Sequence, residues 1–142
     1  MKNNEKFQTD VEMVPKALRD QAQTRELEEE AIGLYRKFTT TKQEPVRLAA
    51  ALRGFFLPEA EDQEKEAYGI YLKSRIRPAV EALIDGDDVE KLEELESLGW
   101  LDGKNLDSFI RIARQKQKNA ALVWFLHLKK EKNGFKDRDF SL

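Results

Sequence analysis

The sequence predicts an all-α fold, and three observations carry that prediction. Seven glycines and four prolines in 142 residues are too few for a turn-rich β-sandwich. No stretch alternates apolar and polar residues long enough for a strand, whereas apolar residues recur at i, i+3, i+4 and i+7 in one segment after another. Apolar residues form 40% of the chain and charged residues 37%, which suits a packed core beneath a strongly solvated helical surface.

The same composition narrows the class of protein. The length suits one compact domain. No run approaches the roughly 18 consecutive apolar residues of a membrane span. The N-terminal MKNNEKFQTD lacks the apolar core of a secretory signal. With no cysteine there is neither a disulfide framework nor a thiolate zinc site. A cytoplasmic protein with no membrane association is the expectation.

Residues 1–12 are polar without periodicity and are expected to form a flexible leader to a single helical domain over 13–134. The first helix is expected from near Pro15, which suits a first turn. Leu27, Ala31, Leu34, Tyr35 and Phe38 form its apolar face, and its polar stretch invites a break near Thr24. Thr39-Thr40-Thr41 is a cap-prone stop. The second helix spans about 44–56, with Leu48, Ala51, Leu52 and Phe55 on one face, and Pro58 opens a third that turns Tyr68, Tyr71 and Leu72 inward. Pro78 disfavours helix at Arg77, so a new helix is placed at roughly 78–85, with Ala79, Val80, Leu83 and Ile84 apolar.

Asp85-Gly86-Asp87 reads as a turn, and Asp87 or Asp88 as the cap of a helix carrying Val89, Leu92 and Leu95. Gly99 stands where a C-terminal glycine cap belongs. Asp102 or Asn105 starts the following helix, whose face is Leu106, Phe109, Ile110 and Ala113. After a polar connector, the last helix at 119–132 is apolar almost all round from Ala120 to Leu128, which predicts burial on two sides. Asn133-Gly134 ends it, and 135–142 is expected to be a loose tail.

Charge is unevenly distributed. Residues 81–107 carry ten acidic side chains and two lysines, a net of −8, and residues 108–138 carry nine basic and two acidic ones, a net of +7. Either neighbouring helical layers carry complementary charge, or the basic end recruits an acidic partner.

The two charge blocks coincide with an internal repeat. PAVEALIDGDDVEKLEELESLG and DSFIRIARQKQKNAALVWFLHLK place their apolar positions in register at an offset of 30 residues: Leu83-Ile84 falls on Ala113-Arg114, and Leu92 and Leu95 fall on Leu122 and Phe125. Val89 falls on Asn119, a mismatch. Each copy is a short helix, a polar turn and a longer apolar helix. On these residues the segment 76–132 resembles the helical pairs of ankyrin repeats, with Asp85-Gly86-Asp87 at the polar turn and Val89, Leu92, Leu95 and Gly99 at outer-helix positions. The T-P-L-H opening of that family is missing, and the offset is shorter than its usual period of about 33 residues. The resemblance therefore implies stacked antiparallel helical hairpins, ankyrin-like but without β-hairpin fingers, the finger being reduced to a loop at 100–104. The helices of residues 13–75 would cap one end of the stack.

Few residues suggest chemistry. His127 is the only histidine and sits in the most apolar helix. No serine stands in a nucleophile-elbow context. Asp85-Gly86-Asp87-Asp88 fails as a calcium loop, because Val89 falls where an oxygen ligand is required. No catalytic residue, cofactor or metal is expected. The resemblance places Arg75, Arg77, Arg111 and Arg114 on inner helices, facing the concave side of a stack. There they would bind the carboxylates of a partner or neutralise the acidic block of 81–107. Trp100, in the loop after Gly99, is either a staple between layers or an exposed anchor. The expectation is a non-enzymatic protein–protein interaction domain that binds an acidic protein surface through these five residues. The alternative is a small nucleic-acid-associated regulator using the basic C-terminal segment. A net charge of −2 and the lack of a recognisable reading helix count against it.

Overall fold

The computed structural model describes the backbone of residues 2–140 and the side chains of residues 16–132. Among these residues there is no strand. The helices are α1 (Lys2–Thr40), α2 (Glu44–Phe55), α3 (Asp62–Ser74), α4 (Ile76–Asp85), α5 (Val89–Ser97), α6 (Leu106–Gln115) and α7 (Asn119–Phe140), with a 3-10 turn at Gly103–Asn105. The chain divides into two compact units, Met1–Gly69 and Ile70–Leu142. No helix among the described residues is long and apolar enough to cross a membrane. Helix α1 begins at Lys2 rather than near Pro15, and α7 continues past Asn133-Gly134 to Phe140. The side chains of the expected leader 1–12 and tail 135–142 lie outside the described residues.

In the first unit α2 packs against α1. The break expected near Thr24 does not occur. Its hydroxyl donates to the Asp20 carbonyl at 2.9 Å, a back-bond that keeps this polar side chain inside the helix. The threonine stop does occur: the Thr40 hydroxyl donates to the Arg36 carbonyl at 2.7 Å, and α1 ends there. A helix end leaves carbonyls without intrahelical partners. Arg47 of α2 supplies donors, from Nε to the Phe38 carbonyl at 3.3 Å and from Nη2 to the Thr41 carbonyl at 2.5 Å. Its positive charge also suits the negative end of the helix dipole.

Small residues bring α2 close, with Ala50 and Ala51 buried on its side and Ala31 on that of α1. The centre of the unit is Tyr68, fully buried, with the rings of Tyr35 and Phe38 packed edge-on at 5.9 and 4.9 Å. Gly54 allows that ring in: a Cβ there would lie 2.5 Å from Tyr68 Cζ. The Tyr68 hydroxyl has no hydrogen-bond partner among the described residues. Burial, with the nearby charges of Glu64 and Tyr35 adding to it, pushes its pKa up to about 12. Helix α3 starts at Asp62 rather than at Pro58. The Leu57 and Ala60 amides bond back to Gly54 and Leu57, and this turn buries both Leu57 and Ala60 before the helix begins.

In the second unit α4 packs against α5 and α6, and α7 packs against α6 and α5. Helix α4 begins at Ile76, two residues before Pro78. Pro78 then stands in a first turn, where its missing N–H removes no intrahelical bond. The backbone recurs at an offset of 30 residues. Helices α4 and α6 start at Ile76 and Leu106, and α5 and α7 at Val89 and Asn119. Among the described residues Asp87 and Gln117, also 30 apart, are the positive-φ residues other than glycine, at 50° and 56°. Each closes its helix with the same pair of bonds: Asp87 and Asp88 amides to Ile84 and Leu83 carbonyls, Gln117 and Lys118 amides to Arg114 and Ala113 carbonyls. Gly86, the glycine of the sequence turn, has φ −83° and does not use its freedom. Gly99 does, at φ +78°, closing α5 by the Gly99 and Trp100 amides on the Glu96 and Leu95 carbonyls.

Gln117 is exposed and holds the left-handed conformation with a Cβ, which costs free energy that glycine avoids. Gln117→Gly is expected to raise unfolding free energy by about 0.5–1 kcal/mol, after allowing for the added freedom of the unfolded chain. A urea titration checks it; unchanged or lower stability would contradict the cap. Asp87→Gly should gain less or lose, because the Asp87 carboxylate accepts from the Ala121 amide at 2.8 Å and so caps the start of α7.

The core of the unit contains Leu92, Leu95, Phe109 and Phe125, each at most 1% exposed. Leu122, which the 30-residue register groups with them, is only half-buried. The expected two-sided burial of the last helix is also wrong. Val123 is 56% and Leu126 42% exposed, because α5 and α6 cover one side of α7 and no described element covers the other.

Candidate functional site

The five residues that the sequence singles out differ in their surroundings. Arg75, at the N-cap of α4, places its guanidinium 5.1 Å from the centre of the Tyr71 ring. Arg77 donates to Ser108 Oγ at 2.7 Å, tying α4 to α6, and lies 3.8 Å from Glu81. It is thus engaged within the unit. Trp100 is half-buried; its amide closes α5 and Lys73 Nζ lies 5.7 Å from its ring centre, so it packs beside the loop. Arg111 and Arg114 differ. They stand three residues apart on α6, both exposed, and neither guanidinium has a hydrogen bond or ion pair with any described residue.

Other basic residues of the C-terminal block meet the acidic block directly. Lys116 pairs with Asp85, Lys129 with Asp107 at 2.7 Å, and Lys132 with Glu96 at 3.7 Å. Each joins the −8 segment to the +7 segment. These exposed pairs contribute little individually to stability. Their consequence is that part of the charge segregation is answered inside the unit.

The Asp85–Asp88 turn is occupied structurally. Asp85 holds Lys116, Asp87 caps α7, and Asp88 caps α5 through the Lys91 amide at 3.3 Å. Among the described residues no three His, Asp or Glu side chains group to hold a metal ion. The Ser74 and Ser97 hydroxyls donate to the Tyr71 and Glu94 carbonyls.

The sequence reading missed a groove. It lies between α5 and α7, with a volume of about 700 Å³ and an apolar lining of Val89, Ala120, Val123, Trp124 and Leu128. Glu93, Glu96 and Glu131 flank that lining. A second depression of about 240 Å³ shares Val123 and His127 and adds Leu126 and Lys130. The signal for it was present in the 30-residue register. Val123 and Leu126 stand where the first copy carries Glu93 and Glu96, so the second copy has apolar residues at positions its counterpart fills with glutamate.

No protein-family model matches the chain, and neither a curated protein nor a solved structure matches it.

Proposed function

We propose that this protein is a non-enzymatic protein–protein interaction domain. In this reading residues 76–132 are two degenerate ankyrin-like hairpins stacked side by side, and an acidic partner docks on their inner helices. The observation that carries it is the pair Arg111 and Arg114. They are exposed and unpaired among the described residues, on a helix whose neighbouring charges are largely matched. Two guanidinium groups so placed bind carboxylates in planar, two-pronged fashion without first breaking an internal pair. Arg77, held by Ser108 and Glu81, borders that surface. The matching of α4 to α6 and α5 to α7 at 30 residues supports the hairpin reading. The internal pairing of Lys116, Lys129 and Lys132 counts against the nucleic-acid alternative.

Arg111→Glu combined with Arg114→Glu tests the proposal. Titration with glutamate-rich peptides should give binding that weakens as salt rises, and the double reversal should weaken it about tenfold or more. Its melting temperature should stay within about 2 °C of the parent, because no internal pair is lost. A lowered melting temperature with unchanged binding per folded molecule would mean that these arginines serve stability instead. Mixed-sequence DNA and RNA should not bind at physiological salt; a salt-dependent shift at micromolar protein would favour the alternative.

A further inference from the structure

The groove between α5 and α7 is a second surface with a chemistry of its own. Its floor is apolar, and Val123 and Leu126 continue that floor onto the open side of α7, three residues apart, as one ridge of a helix. Two exposed large aliphatic residues on one helix beside a half-buried tryptophan form a contiguous patch. The border has the opposite character. Among the described residues Glu93 and Glu131 have no ion-pair partner, and Glu96 Oε2, a buried atom, has no hydrogen-bond partner. Lys132, 3.7 Å from the other Glu96 oxygen, answers part of that charge.

We propose that this groove docks an amphipathic helix of a partner protein, apolar along one face and bearing lysine or arginine beside it. The dimensions suit a helix. Helix α5 has nine residues, about 13 Å at 1.5 Å per residue, which matches two to three turns of a partner with anchors at i, i+3 or i+4, and i+7. The acidic border selects basic flanks by charge complementarity and rejects acidic ones. It also disfavours an anionic lipid surface. The proposal rests on the reading of the chain as a docking protein, but it uses side chains of α5 and α7 rather than Arg111 and Arg114 of α6 and takes a partner of opposite charge.

A display library of helical peptides, panned against the full chain and then titrated against the variants, tests it. Val123 is exposed, so its substitution should leave the fold intact, and a thermal melt verifies this before panning. The enriched peptides should share an apolar i, i+3/i+4, i+7 spine flanked by lysine or arginine. They should bind about tenfold or more weakly to Val123→Asp, and more weakly to Glu93→Lys combined with Glu131→Lys. Enrichment of acidic-flanked peptides, or binding unaffected by both variants, would overturn the assignment. So would sedimentation showing a dimer that Val123→Asp dissociates, since a second copy would then be the occupant. Peptides lost on Arg111→Glu with Arg114→Glu but kept on Val123→Asp would retain the interaction-domain reading and remove this groove from it. A library that yields no specific binder on either face would remove both.

Discussion

Phe125→Ala should lower the unfolding free energy by about 3–5 kcal/mol, the usual cost of deleting a buried aromatic side chain. Phe125 is fully buried in α7, with the Phe109 ring of α6 at 5.6 Å and the Trp124 ring at 5.1 Å. Two contributions add. Apolar area is returned to water, and the surrounding helices cannot close fully over the space that remains. Equilibrium denaturation, read by circular dichroism, measures the effect. Two controls on the same helix sharpen it. Leu122→Ala, at a half-buried position, should cost less than Phe125→Ala, and His127→Ala, at an exposed one, should change stability by under about 0.5 kcal/mol. If Phe125→Ala melted like the parent, α7 would not contribute to the core.

Gly54→Ala should destabilise by about 1–3 kcal/mol or more, and the sign is what makes it informative. Gly54 lies inside α2, and replacing glycine by alanine inside a helix ordinarily stabilises by about 0.5–1 kcal/mol. Here the new methyl would meet the Tyr68 ring, and that ring has nowhere to go: it is fully buried, with Tyr35 and Phe38 packed against it. The double-mutant cycle with Tyr68→Ala isolates the clash. In that background Gly54→Ala should become neutral or stabilising, giving a coupling of about 1–3 kcal/mol. Tyr68→Phe, by contrast, should be neutral or stabilising on its own, because it removes a buried hydroxyl that lacks a partner. A stabilising Gly54→Ala in the parent protein would show that the two residues are not in contact.

The arginine surface was only partly legible in the sequence. Arg111 and Arg114 were named from the resemblance, which places them on an inner helix together with Arg75 and Arg77. Nothing local distinguishes them from Arg77, three residues from the helical break at Ser74, whose guanidinium reaches Ser108, 31 residues away. Asp87 presents the same case. The turn was readable, but its role as the cap of α7 depends on Ala121, 34 residues on. The left-handed position of that turn falls on Asp87, while Gly86 keeps φ at −83°.

What the sequence determined by itself is the set of properties that one helix carries alone. The helical character of the chain, the apolar faces of α4 and α6, the threonine end of α1 and the Gly99 cap all follow from spacing within a few residues, since helical periodicity and capping bonds act over one or two turns. Which of two apolar faces is covered is a property of the neighbours. In α7 apolar residues run all round, and periodicity therefore could not choose a buried side; packing against α5 and α6 hides Phe125 and leaves Val123 and Leu126 to water. The glycine at 54 is likewise readable only once Tyr68, fourteen residues later, is folded onto it. Contacts between separate elements decided the groove, the free arginines and the fit of Tyr68 against Gly54, because each depends on which surfaces meet and not on the local pattern that forms the helices.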